Sequence, residues 1–280
     1  MGPRREEIEI EMRMCKMKRS NEELSRAIDE SFVDAFATLC TASPKAILRN
    51  EGDMILYSSG APSALLNGVL ATRLSSENIS KRTDEALSFF KGLGLPMTFF
   101  VGPRCTPPEL GSYLESLGMA PGWTRPGMAI GLDTVGSEPL PAGLKIRSAE
   151  DLESLKSCAR IFAEAFGADK QTTTWMHNLA MCYGISTTRR WYLGLLDEKP
   201  VATSLLLLHR GVAGIYCVAT IGEARGHGIG AALTREPLLV AKGLGYDFAV
   251  LQSSKMGLPV YERLGFGEYC KIKAYCWSPK

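Results

Sequence analysis

Apolar residues first recur at helical spacing at Leu24, Ile28, Phe32, Phe36 and Leu39, just after Ser20 and Glu23. A Ser followed three positions later by a Glu satisfies two orphan helix N–H groups reciprocally, so the pattern predicts a helix from residue 21. Short apolar runs at 46–57 and 65–74 predict a hairpin turning at Glu51, Gly52 and Asp53, then a further strand. Helix 80–92, strand 97–102, helix 107–117 and a strand at 127–132 complete a first series. DTVGSEPLPAG, residues 133–143, reads as a linker because its Gly and Pro punctuate both periodicities. The second series opens with strand 144–147 and a helix that Ser148 caps, its apolar side formed by Leu152, Leu155, Ala159, Ile161, Phe162 and Phe166. A shorter helix at 171–182 precedes strands 190–196, 200–209 and 212–220, which turn at 197–199 and 210–211. Helix 229–244, strand 247–252, helix 256–264 and strand 266–277 end the chain.

An antiparallel meander that feeds a strand–helix–strand crossover predicts an α/β fold with a mixed, largely antiparallel sheet and flanking helices. The two series also match each other: Ala71-Thr72 answers Ala219-Thr220, and LESLGM at 114–119 answers YERLGF at 261–266. Thr72 lies 46 residues before Gly118, and Thr220 lies 45 before Gly265. This spacing reads as a tandem duplication: a tail at 1–20, a first domain at 21–138 and a second at 139–280.

Composition adds limits. A chain of 280 residues, 45% apolar and 22% charged, is ordinary globular protein with room for two domains. No apolar run approaches the roughly 20 residues of a membrane span. The opening MGPRREEIEIEMRMCKMKRS mixes charges without an apolar signal core, so a cytoplasmic protein is expected. The eight cysteines, 15, 40, 105, 158, 182, 217, 270 and 276, never form C-x-x-C, and only three histidines accompany them, so neither a metal site nor a disulfide framework is expected. A net charge of +2 gives no reason to expect nucleic acid. Division after Pro141 is more informative: 15 basic and 18 acidic residues before it (−3), 17 and 12 after it (+5). The basic half holds the glycine-rich stretch VATIGEARGHGIGAAL, residues 218–233, which suits an anionic ligand.

Gly226, Gly228 and Ala231 satisfy the dinucleotide pattern G-x-G-x-x-A, but its context is missing. The first glycine should follow its strand at once, whereas residues 221–225 intervene, and Asp247 begins the next strand where a ribose-binding acid would end it. No Gly-Lys-Ser/Thr follows, so a triphosphate P-loop is excluded as well. Glycines here let backbone N–H groups converge on a pyrophosphate at a helix start. Arg225-Gly226-His227-Gly228-Ile229-Gly230, after a VAT strand and before VYERLGF, resembles the R/Q-x-x-G-x-G/A loop of the GNAT superfamily of N-acyltransferases over about residues 143–277. The resemblance implies that Cys217, Val218, Ala219 and Thr220 pair with the pantetheine arm of an acyl-coenzyme A, as an added strand at a splay beside strand 247–252. Arg225, Gly226, His227, Gly228, Ile229, Gly230 and Ala231 would then hold its phosphates, with Ser254 facing the same cleft.

The resemblance further implies that Tyr261 is the general acid for the leaving thiolate and that a backbone N–H in Val218–Ala219 polarises the thioester. The strand 212–220 lacks a carboxylate, so Glu164 or His177, on helices bordering the acceptor site, are the candidate bases. Cys217 could form an acyl-enzyme, although strand cysteines are more often core. Trp175, Trp191 and Tyr192 suit either an acceptor pocket or packing, and Ser253 ends the strand beside Ser254. In the first half Asn78, Ile79, Lys81 and Thr83 stand where Arg225, Gly226, Gly228 and Gly230 stand in the second, and Leu114 replaces Tyr261. The expectation is a tandem GNAT protein with a degenerate first half and one coenzyme A per chain. It would transfer acetyl from acetyl-CoA to a small or peptide amine by direct attack in a ternary complex. The alternative is a non-catalytic acyl-CoA binding module. Acceptor, acyl chain and oligomeric state stay open at this level.

Overall fold

The computed structural model describes residues 19–40, 42, 44–168 and 170–279, and the side chains of residues 39, 40, 171, 175 and 179 fall outside the description. Nearly all of the tail at 1–20, and the side chains of Leu39 and Trp175, therefore lie beyond it. The first helix, α1 (Asn21–Cys40), begins at the expected capping box: Ser20 N donates to Glu23 Oε2 at 2.7 Å and Glu23 N to Ser20 Oγ at 3.2 Å. Strands β1 (Ile47–Asn50), β2 (Ile55–Ser58) and β3 (Asn67–Leu70) follow. Then come α2 (Ile79–Leu93), β4 (Met97–Val101), α3 (Leu110–Ser116) and β5 (Ala120–Gly131). The second series is β6 (Leu144–Ser148), α4 (Leu152–Ala165), α5 (Lys170–Tyr183), β7 (Arg189–Leu196), β8 (Lys199–His209) and β9 (Val212–Thr220). It ends with α6 (Ile229–Gly243), β10 (Phe248–Gln252), α7 (Leu258–Leu264) and β11 (Gly267–Trp277).

Three local expectations change. Ser148 remains in β6, opposite Tyr192, and the cap of α4 is Asp151, whose Oδ1 accepts from Ser154 N at 2.7 Å. Both residue types serve as caps, and the chain needs three more residues to leave the sheet. Strand β5 starts at Ala120, well before 127, although it contains Pro121 and Pro126. Proline lacks a ladder donor, and these two pair with β11 in a register that shifts between Glu268 and Cys270 and again between Lys273 and Tyr275. Strand β3 stops at Leu70 instead of 74, since Ala71 adopts φ +53° and turns the chain out of the ladder.

All eleven strands form one sheet, in the order β1-β2-β3-β4-β11-β5-β10-β9-β8-β7-β6. Only β3–β4 and β9–β10 are parallel, the two crossovers of the repeat. The halves exchange their last strands: β11 inserts between β4 and β5, while β5 reaches β10. Two separate sheets would each have closed on their own final strand, so the exchange fuses them. The duplication is visible at the helix ends too. Gly118 (φ +81°) and Gly265 (φ +99°) both take the left-handed conformation past α3 and α7, and the next N–H caps back, Met119 N to Leu114 O and Phe266 N to Tyr261 O. Leu114 and Tyr261 are thus equivalent positions with different side chains.

The sheet is covered on both faces. Leu233, Leu238 and Ala241 of α6 pack on Leu206, Ala213, Ala249 and Leu251, while Leu155, Cys158 and Ile161 of α4 pack on Trp191, Leu193 and Leu205 from the opposite face. In the first half, Leu87 and Phe90 of α2 cover Val69, Met97 and Phe99. Helix α1 bridges the two halves: Phe32 packs with Tyr57, Phe100 and Ile272, and Ala27 and Ile28 pack with Ala129, Phe248 and Val250. Burial of each such aromatic or aliphatic side chain contributes about 1.5–3 kcal/mol, so α1 fastens the exchanged strands together. Among the described residues no helix is long and apolar enough to cross a membrane.

Candidate active site

The site grows from a gap in the sheet. Strands β9 and β10 pair only at Ala213–Ala249 and Gly214–Val250, then diverge, which frees the β10-facing edge of residues 215–220. On the other side, β9 pairs Tyr216 with Leu205 and Ala219 with Thr203, so Cys217 and Val218 together face Ser204 in a bulge. Cys217 holds φ +50°, a left-handed conformation unusual for a residue with a side chain, and the bulge re-aims the strand's N–H groups. A backbone edge in this state accepts an added strand.

The anion cradle lies beyond the strand end. Gly228, at φ +75°, caps α6 without any side-chain cap bond, and the first helical bond in the turn is Ala232 N to Gly228 O. The N–H groups of Ile229, Gly230 and Ala231 are therefore the orphan donors of the helix start. Space above them is open: a Cβ at Gly226 would meet nothing within 4 Å, and one at Gly230 would meet only Thr220 Oγ1 at 3.8 Å. Arg225 has a structural task, since its Nε donates to Thr220 O at 3.0 Å and its Nη2 to Ala165 O at 2.9 Å, tying the end of α4 to the end of β9. Its cation still stands at the mouth.

Together these elements line a cleft of about 720 Å³ that includes Val218, Ala219, Thr220, Arg225, Gly226, Gly228, Ile229, Gly230, Ala231, Ser254 and Tyr261. Lys255 and Arg263 line it as well, two cations that sequence reasoning passed over. The +5 charge of the second half is their only trace in the sequence. His227 is exposed and Cys217 faces a different cavity, so the structure groups neither with the rest of the loop set.

That second cavity, of about 220 Å³, shares Phe166, Val218, Ser254 and Tyr261 with the cleft. Its walls come from both halves: Phe32 and Phe36 of α1 and Leu65 and Leu66 stand against Phe162 of α4, Met176 of α5, Trp191 and Tyr216. Trp191 thus lines a cavity while Tyr192, one residue on and on the opposite sheet face, packs in the core under α6. Ser253 is fully buried, its Oγ donating to Ser254 O at 2.8 Å, whereas Ser254 Oγ accepts from Gly257 N at 3.1 Å at the start of α7.

Tyr261 is 9% exposed at the junction of the two spaces, its ring edge-on to Phe266 at 5.8 Å. Burial pushes its phenol up to about 12, against the opposing pull of the Arg125 cation, so the hydroxyl keeps its proton at neutral pH. Burial likewise raises the Cys217 thiol to about 12, which leaves it a poor nucleophile. Neither Glu164 nor His177 lines either cavity; Glu164 is exposed and pairs with Arg160 at 3.1 Å.

Residues 155–266 match the model of the acetyltransferase (GNAT) family. In structure the chain resembles a GCN5-related N-acetyltransferase from Kribbella flavida, with a TM-score of 0.67 and 18% identity over 88% of this chain and 94% of that one. It also resembles one from Sphaerobacter thermophilus (TM-score 0.60, 17% identity, 81% and 82% covered). A third likeness is to a tandem GNAT protein from the clavulanic acid biosynthesis pathway (TM-score 0.61, 16% identity, 89% and 88% covered). At such identities the likeness is one of fold, and it spans both halves. No curated protein matches the chain by sequence.

Proposed function

We propose that the protein transfers an acetyl group from acetyl-CoA to an amine by direct attack in a ternary complex. The observation that carries this reading is the junction itself. A cleft with an open strand edge and an uncapped, glycine-lined helix start meets an apolar cavity at one protonated tyrosine. Coenzyme A supplies three anionic phosphate groups, for which the N–H groups of residues 229–231 and the cations of Arg225, Lys255 and Arg263 are the complement. The pantetheine arm lies along Val218–Thr220, and the thioester reaches the junction.

There the amine nitrogen bonds to the carbonyl carbon, and an N–H of Val218–Ala219 steadies the oxyanion. The C–S bond breaks as the intermediate collapses, Tyr261 donates its hydrogen bond to the departing thiolate, and the ammonium proton leaves to solvent. Direct attack is favoured over an acyl-enzyme because the Cys217 thiol is held protonated. Among the described residues no carboxylate or histidine lines either cavity, which suits an amine that is partly neutral near pH 7.5, such as an α-amine of pKa about 8. The same absence favours the second reading, a non-catalytic acyl-CoA binding module. Thiol release from acetyl-CoA with a panel of amines separates the two: turnover with any amine supports the enzyme, and tight binding without release supports the module.

A further inference from the structure

The smaller cavity combines an apolar body with a cation. Phe32, Phe36, Phe162, Leu66 and Leu205 form the body. Among the described residues Arg125 is the only charged one in its lining, with no Asp, Glu or His beside it. Arg125 reaches this place through the strand exchange, because β5, paired at this point with Ile272 of β11, carries it beneath the active site of the other half. Its guanidinium stacks on Trp123, 4.2 Å from the ring centroid, and no carboxylate among the described residues pairs with it.

An unpaired, half-buried guanidinium is costly in the empty protein and is satisfied by an anion. A volume of about 220 Å³ falls below the roughly 300–1,000 Å³ of drug-sized ligand sites and suits one amino-acid-sized body. Arg125 and Tyr261 both line the cavity, and Tyr261 also borders the thioester cleft. An anionic group near Arg125 therefore lies close to the attacking nitrogen. We infer that Arg125 binds the carboxylate of the acceptor, and that the acceptor is an α-amino acid with an aromatic or branched apolar side chain. The carboxylate lies on the guanidinium, the side chain lies among Phe32, Phe36 and Phe162, and the α-amine faces Tyr261 and the thioester. Arginine suits this role because its planar fork holds both carboxylate oxygens.

This inference rests on the acyltransferase reading, and its test keeps the two apart. Calorimetry on the full chain saturated with coenzyme A compares N-acetylphenylalanine with N-acetylphenylalaninamide, which lacks only the charge. The acid is expected to bind about 30-fold or more tightly than the amide, and Arg125→Gln should bring the two within about threefold, with Arg125→Lys between them. Coenzyme A affinity measured on each variant reports whether the fold is intact. Equal affinity of acid and amide for the unaltered protein overturns the inference, as does an unchanged preference in Arg125→Gln or failure of both to bind. Turnover of phenylalanine against phenethylamine gives the second arm: equal kcat/KM removes the carboxylate from the acceptor. Faster transfer from succinyl-CoA than from acetyl-CoA to phenethylamine, lost in Arg125→Gln, would put the carboxylate on the acyl group and overturn the inference as well. Charge-dependent binding with no turnover of any amine would leave Arg125 its ligand and remove the acyltransferase reading alone.

Discussion

The two crossovers of this sheet open the same gap and treat it in opposite ways. In the first half, β3 and β4 pair at Gly68–Thr98 and Val69–Phe99 and then diverge, as β9 and β10 do in the second. The first gap is then closed by the chain itself: Thr106 N donates to Thr72 O at 3.1 Å, Leu74 N to Thr106 O at 3.0 Å, and Thr106 Oγ1 to Leu74 O at 2.9 Å. Residue 106 thus takes the part of the added strand that coenzyme A is proposed to take beside β9. The helix start is spent too. Asn78 N and Ile79 N both donate to Ser75 O, and Asn78 Oδ1 accepts from Ser75 N at 2.8 Å. Arg82, one turn into α2, is held by Asp53 and Glu51. Asp29, 4% exposed, packs against Gly102 at the end of β4 and adds a buried carboxylate there. One repeat has filled its gap with protein, and the other has left it open.

The strongest way to break this contrast is to fill the open cradle. Gly230→Ile should weaken acetyl-CoA binding about 100-fold or more, because a branched side chain projects into the space the pyrophosphate needs. Gly230 is a cleaner target than Gly228, whose φ of +75° would strain any side chain irrespective of ligand. The readout is thermal protection: acetyl-CoA at 100 times its dissociation constant adds about 2.7 kcal/mol to the unaltered protein, and the variant should lose that shift. Protection retained in full would make the loop a simple turn.

Tyr261→Phe probes the equivalent position that Leu114 occupies in the first half. Turnover is expected to fall about 10²-fold with coenzyme A affinity little changed, since a proton donor acts only as the thiolate departs. Full activity of the Phe variant would assign the donor elsewhere.

The charge buried at the closed gap gives a pH signature. Burial raises the Asp29 carboxyl from 3.8 to about 6, opposed by Arg104 and Arg73 and reinforced by Glu30. With the folded value above the unfolded one, the folded state holds the proton longer, so stability falls as pH rises through the window from about 4 to 6. The loss amounts to about 3 kcal/mol at pH 7 by 1.36 kcal/mol per unit. Denaturation across this window should show the decline, and Asp29→Asn should flatten it; an identical slope in the variant would reject the assignment.

The contrast also explains which features could be read from the chain. Local signals carried most elements: the Ser20–Glu23 box, the turns between β7, β8 and β9 and the glycine ends of α3 and α7 all act within a few residues. The cradle was legible for the same reason, since Arg225 to Gly230 form one continuous turn. The exchange of β5 and β11 was not, because pairing Tyr275 with Phe99 is a contact across the whole chain that no periodicity encodes. Arg125 went unremarked with it: beside Pro126, in a stretch broken by prolines, it carries no local mark of a place next to Tyr261. Lys255 and Arg263 resemble ordinary surface charge in the sequence, and only the fold brings them, just before and within α7, to the cleft.

The smallest expected effect belongs to Lys81, which stands where the second half has Gly228. It is exposed and paired with Glu85 at 3.9 Å, so Lys81→Ala should change coenzyme A affinity by less than about twofold. A larger loss in calorimetry would mean that the first half contributes phosphate contacts after all.

Titration of the intact chain with coenzyme A tests the difference between the two gaps most directly. The account predicts one site per chain, absent in Gly230→Ile and unchanged in Lys81→Ala. Two equivalent sites, or one that survives Gly230→Ile, would contradict it.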